Sequence, residues 1–98
     1  MAFLGLDVSK EKIDCCLLLP SLSKKPKRTV IKQSSQGYEQ LHSWLTDNSV
    51  SLEGLTTVLE PTGVYSHQIV RWLYNQKASV CVVQPIQARN FARYHKMN

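Results

Sequence analysis

Apolar and polar positions alternate along the first third of the chain. In residues 2–8, AFLGLDV, Leu4 and Leu6 fall on one side and Phe3, Gly5 and Asp7 on the other, the period of two that marks a strand. Residues 12–19, KIDCCLLL, alternate and then become wholly apolar, which predicts a second strand. The short polar turn Ser9-Lys10-Glu11 between them predicts an antiparallel hairpin. A loop rich in Ser, Lys and Pro runs from Pro20 to Pro26 and ends in the basic run Lys24, Lys25, Lys27 and Arg28. A third strand is predicted at 28–33, RTVIKQ, which completes a meander.

From Ser34 the period changes. Ser34 or Ser35 can cap a helix that reaches Asn48, with Tyr38, Leu41 and Leu45 on one face. A polar link, Ser49 to Gly54, leads to a fourth strand at 55–60, LTTVLE. Thr62-Gly63 opens a second helix to Gln76, whose buried stripe is expected to be Tyr65, Ile69, Val70 and Leu73. In the run VCVVQ at 80–84 every residue before Gln84 is apolar, the pattern of a central parallel strand. Pro85 suits the first turn of a last helix carrying Ile86, Phe91 and Tyr94. The order is therefore β-β-β-α-β-α-β-α: an α/β mixed sheet whose first three strands are antiparallel, whose last two strands are parallel, and whose faces carry helices.

Composition narrows the class. With 98 residues, 43% of them hydrophobic, the chain fits one globular domain. No apolar run approaches the ~20 residues of a membrane span, and the start lacks a secretion signal. A cytoplasmic protein is expected. The net charge of +5 favours an anionic partner, nucleic acid above all, but does not require one. Cys15, Cys16 and Cys81 form no C-x-x-C pair and read as reduced, buried side chains. His42, His67 and His95 lack zinc-site spacing. Trp44 and Trp72 lie within amphipathic helices and read as packing residues.

The chemistry concentrates on two acids. Asp7 and Glu60 each end an apolar strand and each precede a turn, and open α/β sheets build sites at the carboxyl ends of their strands. Taken singly, each has a plainer role: Asp7 can cap a turn and Glu60 can pair with a surface lysine. Taken together at neighbouring strand ends they repel, and a divalent cation resolves the conflict. Oxygen ligands without His or Cys suit Mg²⁺ or Mn²⁺, and a pair of such ions supports phosphoryl transfer.

Three blocks carry a family resemblance: GLDVSK at 5–10, LEPTGVYS at 59–66 and QPIQARNFAR at 84–93. Together they resemble the RuvC-like, DEDD-type transposases of the insertion-sequence one-ten family over essentially the whole chain. The resemblance implies an RNase H-like fold, in agreement with the strand order. It implies that Asp7 and Glu60 are the first two of four metal-binding, catalytic acids and that two Mg²⁺ or Mn²⁺ ions serve the intact site. It further implies DNA as substrate, a structured guide RNA as a partner, and a homo-oligomer when the protein is intact. Two departures stand out. Gln84-Pro85 replaces the family's Asn-Pro, and no Asp or Glu follows Glu60, so the family's later Asp-x-x-Asp pair is missing. Residues 1–98 are accordingly expected to be a single RNase H-like domain from the N-terminal part of a longer transposase, holding half a site and inactive alone.

Supporting residues have two readings each. Thr62 is an ordinary N-cap or, with Gly63, offers backbone N–H groups to a phosphate. Lys10 is a solvated turn lysine or a contact to DNA. Arg89, Arg93 and Lys96 share one helix face that either tracks a nucleic-acid backbone or is merely solvated. Two other functions remain open. An actin-like or sugar-kinase nucleotide-binding domain begins with a similar Asp-bearing strand, but usually with a Gly-rich turn, and here Val8-Ser9-Lys10 follows Asp7. A non-catalytic module that docks on nucleic acid or protein would need neither acid.

Overall fold

The computed structural model describes residues 2–20, 25–60 and 63–83. Five strands form one sheet: β1 (Phe3–Val8), β2 (Lys12–Leu18), β3 (Lys27–Lys32), β4 (Thr56–Leu59) and β5 (Ser79–Val82). Helix α1 (Ser35–Asp47) joins β3 to β4, and a 3-10 turn (Gly63–Ser66) followed by α2 (His67–Asn75) joins β4 to β5. The spatial order is β3-β2-β1-β4-β5. β1 pairs antiparallel with β2, β2 antiparallel with β3, and β1 and β4 are parallel, as are β4 and β5. The predicted order is thus present through β5, and the expected last helix, with Ile86, Phe91 and Tyr94, lies outside the described residues.

Chain geometry decides where the helices go. The connections β3-α1-β4 and β4-α2-β5 both join parallel strands and both step the same way across the sheet. Right-handed crossovers then put both helices on the same face. The core agrees: Leu4, Leu6, Val8, Ile13, Leu17, Ile31 and Leu59 from the sheet meet Tyr38, Leu41 and Leu45 of α1 and Ile69 and Leu73 of α2. Each fully buried Leu or Ile contributes about 1.5–3 kcal/mol relative to exposure. No described helix packs on the opposite face, to which Gly5, Asp7, Asp14, Cys16 and Val58 belong by alternation.

The helix ends explain the boundaries. Ser34 caps α1, its hydroxyl accepting from the Gly37 N–H at 3.1 Å. Both helices close with a Schellman arrangement: Val50 N–H donates to Leu45 C=O and Ser49 N–H to Thr46 C=O, while Ala78 N–H donates to Leu73 C=O and Lys77 N–H to Tyr74 C=O. The left-handed positions are Ser49 (φ 62°) and Lys77 (φ 64°), so neither stop carries the glycine that usually announces it.

Several expectations need correction. β5 is an edge of the described sheet and Val82 is 52% exposed, so its apolar run does not make it central. Tyr65 sits in the 3-10 turn and is exposed, because that turn rotates it off the stripe that Ile69 and Leu73 continue. β3 begins at Lys27, one residue before the predicted start at Arg28, so the end of the basic run lies on the strand. Of the cysteines only Cys15 is buried; Cys16 is half-buried on the other face and Cys81 is exposed on β5. The tryptophans do pack: both are half-buried against the core, and the Trp72 ring lies 5.6 Å from that of Tyr38. No described helix is long and apolar enough to cross a membrane.

Three outcomes follow from this packing. A Cβ on Gly37 would collide with the backbone of Lys32, because the first turn of α1 lies directly on the end of β3. Gly37→Ala should therefore destabilise by about 1–3 kcal/mol in urea unfolding, against the helix-propensity gain of about 1 kcal/mol that an open helix site would show. Asp7 and Asp14 are direct cross-strand partners. Removing one of the like charges by Asp14→Asn should raise metal-free stability by about 0.5 kcal/mol at low salt. Burial, then the charge of Asp14 and the neighbouring Cys16, pushes the Cys15 thiol from 9.0 up to about 12, and burial raises the Tyr38 hydroxyl as well. The folded state then holds protons that the unfolded chain releases. The stabilisation from these groups is complete below pH ~9 and drains away as pH climbs toward 12. Iodoacetamide at pH 8 should alkylate Cys81 first and Cys15 only as the domain unfolds; rapid labelling of Cys15 in the native protein would contradict the burial.

Candidate active site

β1, β3 and β4 run in the same direction, so their carboxyl ends share one rim of the sheet. At that rim the β1–β4 ladder runs Leu4↔Thr57, Gly5↔Val58, Leu6↔Leu59. The next residues in register are Asp7 and Glu60. Leu4, Leu6, Thr57 and Leu59 face the core, so alternation directs both acids to the opposite face. Neighbouring strands lie about 4.8 Å apart, so Asp7 and Glu60 follow directly on paired residues at one rim of the sheet. Asp7 is exposed and Glu60 half-buried. Their local origin is simple: each follows a core leucine, and at the next position the chain leaves the core side.

The turn after β1 is tighter than its polar stretch predicts. Ser9 donates through both N–H (2.9 Å) and hydroxyl (2.8 Å) to the Lys12 carbonyl, leaving only Lys10 and Glu11 as the loop. Lys10 is exposed at the same rim. Thr62, Arg89, Arg93 and Lys96, the other predicted contacts to nucleic acid, lie outside the described residues.

Sequence reasoning passed over two residues here. Asp14 is the cross-strand partner of Asp7 and therefore shares its face. Closing the hairpin on Lys10-Glu11 would have revealed it, since residues 7 and 14 are then equidistant from the turn. Even so, no group of three His, Cys, Asp or Glu side chains gathers to hold a metal among the described residues. The second is Gln33, directly after β3. Its side-chain N–H₂ donates to the carbonyls of Ser9 (3.2 Å) and Tyr65, and its oxygen accepts from the Tyr38 hydroxyl at 2.6 Å. Nothing in the pattern of a lone glutamine at a strand end announces such a junction.

A depression of about 440 Å³ lies elsewhere, lined by Ala2, Leu19, Pro20 and the link after α1. Ala2 precedes β1 and Leu19 follows β2, so this hollow is at the opposite end of the sheet from the acids.

Comparison with known proteins places the domain. Among solved structures, Thermus thermophilus RuvC matches with a TM-score of 0.58 at 13% identity, covering 100% of this chain and 72% of that one. YeaZ from Pseudomonas aeruginosa matches with a TM-score of 0.56 at 17% identity, covering 95% of this chain and 50% of that one. T. thermophilus RuvC in complex with a Holliday junction substrate matches with a TM-score of 0.52 at 12% identity, covering 98% and 74%. At such identities the likeness establishes the fold, which is RuvC-like and RNase H-like. No curated protein matches the chain. The family model for the DEDD transposases of IS110 type, described as "Transposase", matches residues 4–98. A match over nearly the whole chain, on a RuvC-like sheet of order 3-2-1-4-5, means that this chain belongs to the IS110-type DEDD transposase family.

Proposed function

We propose that this domain supplies Asp7 and Glu60 to a metal-dependent centre that cleaves and rejoins DNA strands in the cytoplasm, as the N-terminal part of a longer transposase. The observation that carries the reading is the β1–β4 register, which ends at Leu6↔Leu59 with Asp7 and Glu60 as the next residue on each chain segment. Family membership supports the reaction class. The RuvC neighbour in complex with a Holliday junction supports DNA as the class of substrate.

The donor set fits a hard divalent cation. Both groups are carboxylates, and among the described residues neither is tied up by an ion pair. Asp7 and Glu60 would hold Mg²⁺ or Mn²⁺, two ions in the intact site, which supply positive charge where phosphoryl transfer develops negative charge. Two carboxylates are half of a DEDD set. The other two acids must come from outside residues 61–98, which contain no Asp or Glu. This chain's own part is to hold two oxygen donors at the rim of the sheet. Lys10 at that rim, with Thr62, Arg89, Arg93 and Lys96, would meet DNA phosphates. A structured guide RNA and self-association complete the proposal for the intact protein.

In the full-length protein, Asp7→Asn and Glu60→Gln should each lower Mg²⁺-dependent strand cleavage by more than about 100-fold, equal to roughly 2.7 kcal/mol, with the thermal melt intact. Folded variants that cleave normally would leave a docking module as the better description.

A further inference from the structure

The β1–β4 ladder ends at Leu6↔Leu59, one step short of the acids. Past that point, sheet hydrogen bonds no longer set the spacing between the segment after Asp7 and the segment after Glu60. The side chain of Gln33 reaches both. Its amide nitrogen donates to the carbonyl of Ser9, two residues after Asp7, and to the carbonyl of Tyr65 in the 3-10 turn after Glu60. Its own backbone N–H is anchored on the Glu11 carbonyl at 3.0 Å.

The amide is held from behind. Tyr38, 6% exposed, donates its hydroxyl to the Gln33 oxygen, and its ring lies against Trp72 of α2. With the oxygen occupied, the two amide hydrogens are left for two carbonyls, which is the full donor complement of the group. Chemistry favours an amide here over the alternatives. A carboxylate has no proton to donate at neutral pH. A lysine or arginine could donate, but neither has an acceptor for the Tyr38 hydroxyl.

We infer that Gln33 is a positioning residue of the candidate centre, clamping the turn after Asp7 to the turn after Glu60 so that the two carboxylates keep a fixed separation. The inference rests on the reading of Asp7 and Glu60 given above and adds a residue that acts through backbone and touches neither metal nor DNA.

The test uses the full-length protein with Gln33→Glu, which keeps the shape and removes both donors, and Tyr38→Phe, which removes one hydroxyl and keeps the ring. Two quantities are read: the Mg²⁺ concentration for half-maximal strand cleavage, and amide hydrogen exchange without metal. Gln33→Glu should raise the half-maximal Mg²⁺ about 10-fold, with the rate at saturating metal largely kept, and Tyr38→Phe should shift it less and in the same direction. Residues 9–11 and 63–66 should lose exchange protection together while 41–45 in α1 keep theirs. A lowered melting temperature with unchanged Mg²⁺ dependence would overturn the clamp and leave an ordinary structural glutamine. Independent loss of protection at only one of the two turns would also overturn it. Asp7→Asn in parallel separates the two ideas: if that variant cleaves normally, the metal reading falls, and the exchange data still judge whether Gln33 couples the turns.

Discussion

The parallel pairing of β1 with β4 is the constraint on which the rest of this domain depends. A parallel pair cannot be made by a tight turn; the chain must leave the sheet and return, here through β2, β3 and α1. Once Leu6 is set opposite Leu59, three things follow. Both leucines enter the core beneath α1 and α2. The next residue on each strand must turn to the other face. Both acids therefore reach the same rim and the same face. A slip of one residue would send both Leu59 and Glu60 to the wrong side, so the buried leucines and the acids specify the register jointly.

The same constraint explains why the helices crowd one side. With β4 and β5 added in one direction from β1, both crossovers turn onto one layer, and the core is built there alone. The acids are thus separated from the helices by the thickness of the sheet. They are supported by a packed core without being buried in it. A rim so placed can carry charge at little cost to folding, because its carboxylates stay accessible to water while the strands that bear them are rigid.

Periodicity made most of this legible. The alternation of Leu4, Leu6, Ile13, Cys15 and Leu17 and the i, i+3, i+7 spacing of Tyr38, Leu41 and Leu45 each state which side is buried, and those residues are buried. The acids were legible for the same reason, as breaks in an apolar strand. What stayed hidden depends on relations between elements. The place of β5 at an edge follows from topology, whereas its sequence is as apolar as a central strand. The 3-10 turn that exposes Tyr65 and the stops at Ser49 and Lys77 are made by backbone hydrogen bonds, which any side chain can accompany. Asp14 needed the hairpin register, and Gln33 needed three elements at once.

An apolar strand that ends on a carboxylate has electrostatic consequences on this sheet. Asp7 stands between Asp14 on β2 and the position of Glu60 beyond β4, so the open face concentrates negative charge at one rim. Of the cations on that face, Lys12 and Lys32 are directly opposed at the same rim, and Arg28 lies toward the other end of β3. A domain selected for stability alone would interleave these charges across the strands. Keeping Asp7 beside Asp14 and Lys12 beside Lys32 costs a little folding energy. A divalent cation at the acids and a phosphate backbone over the basic residues would relieve both repulsions.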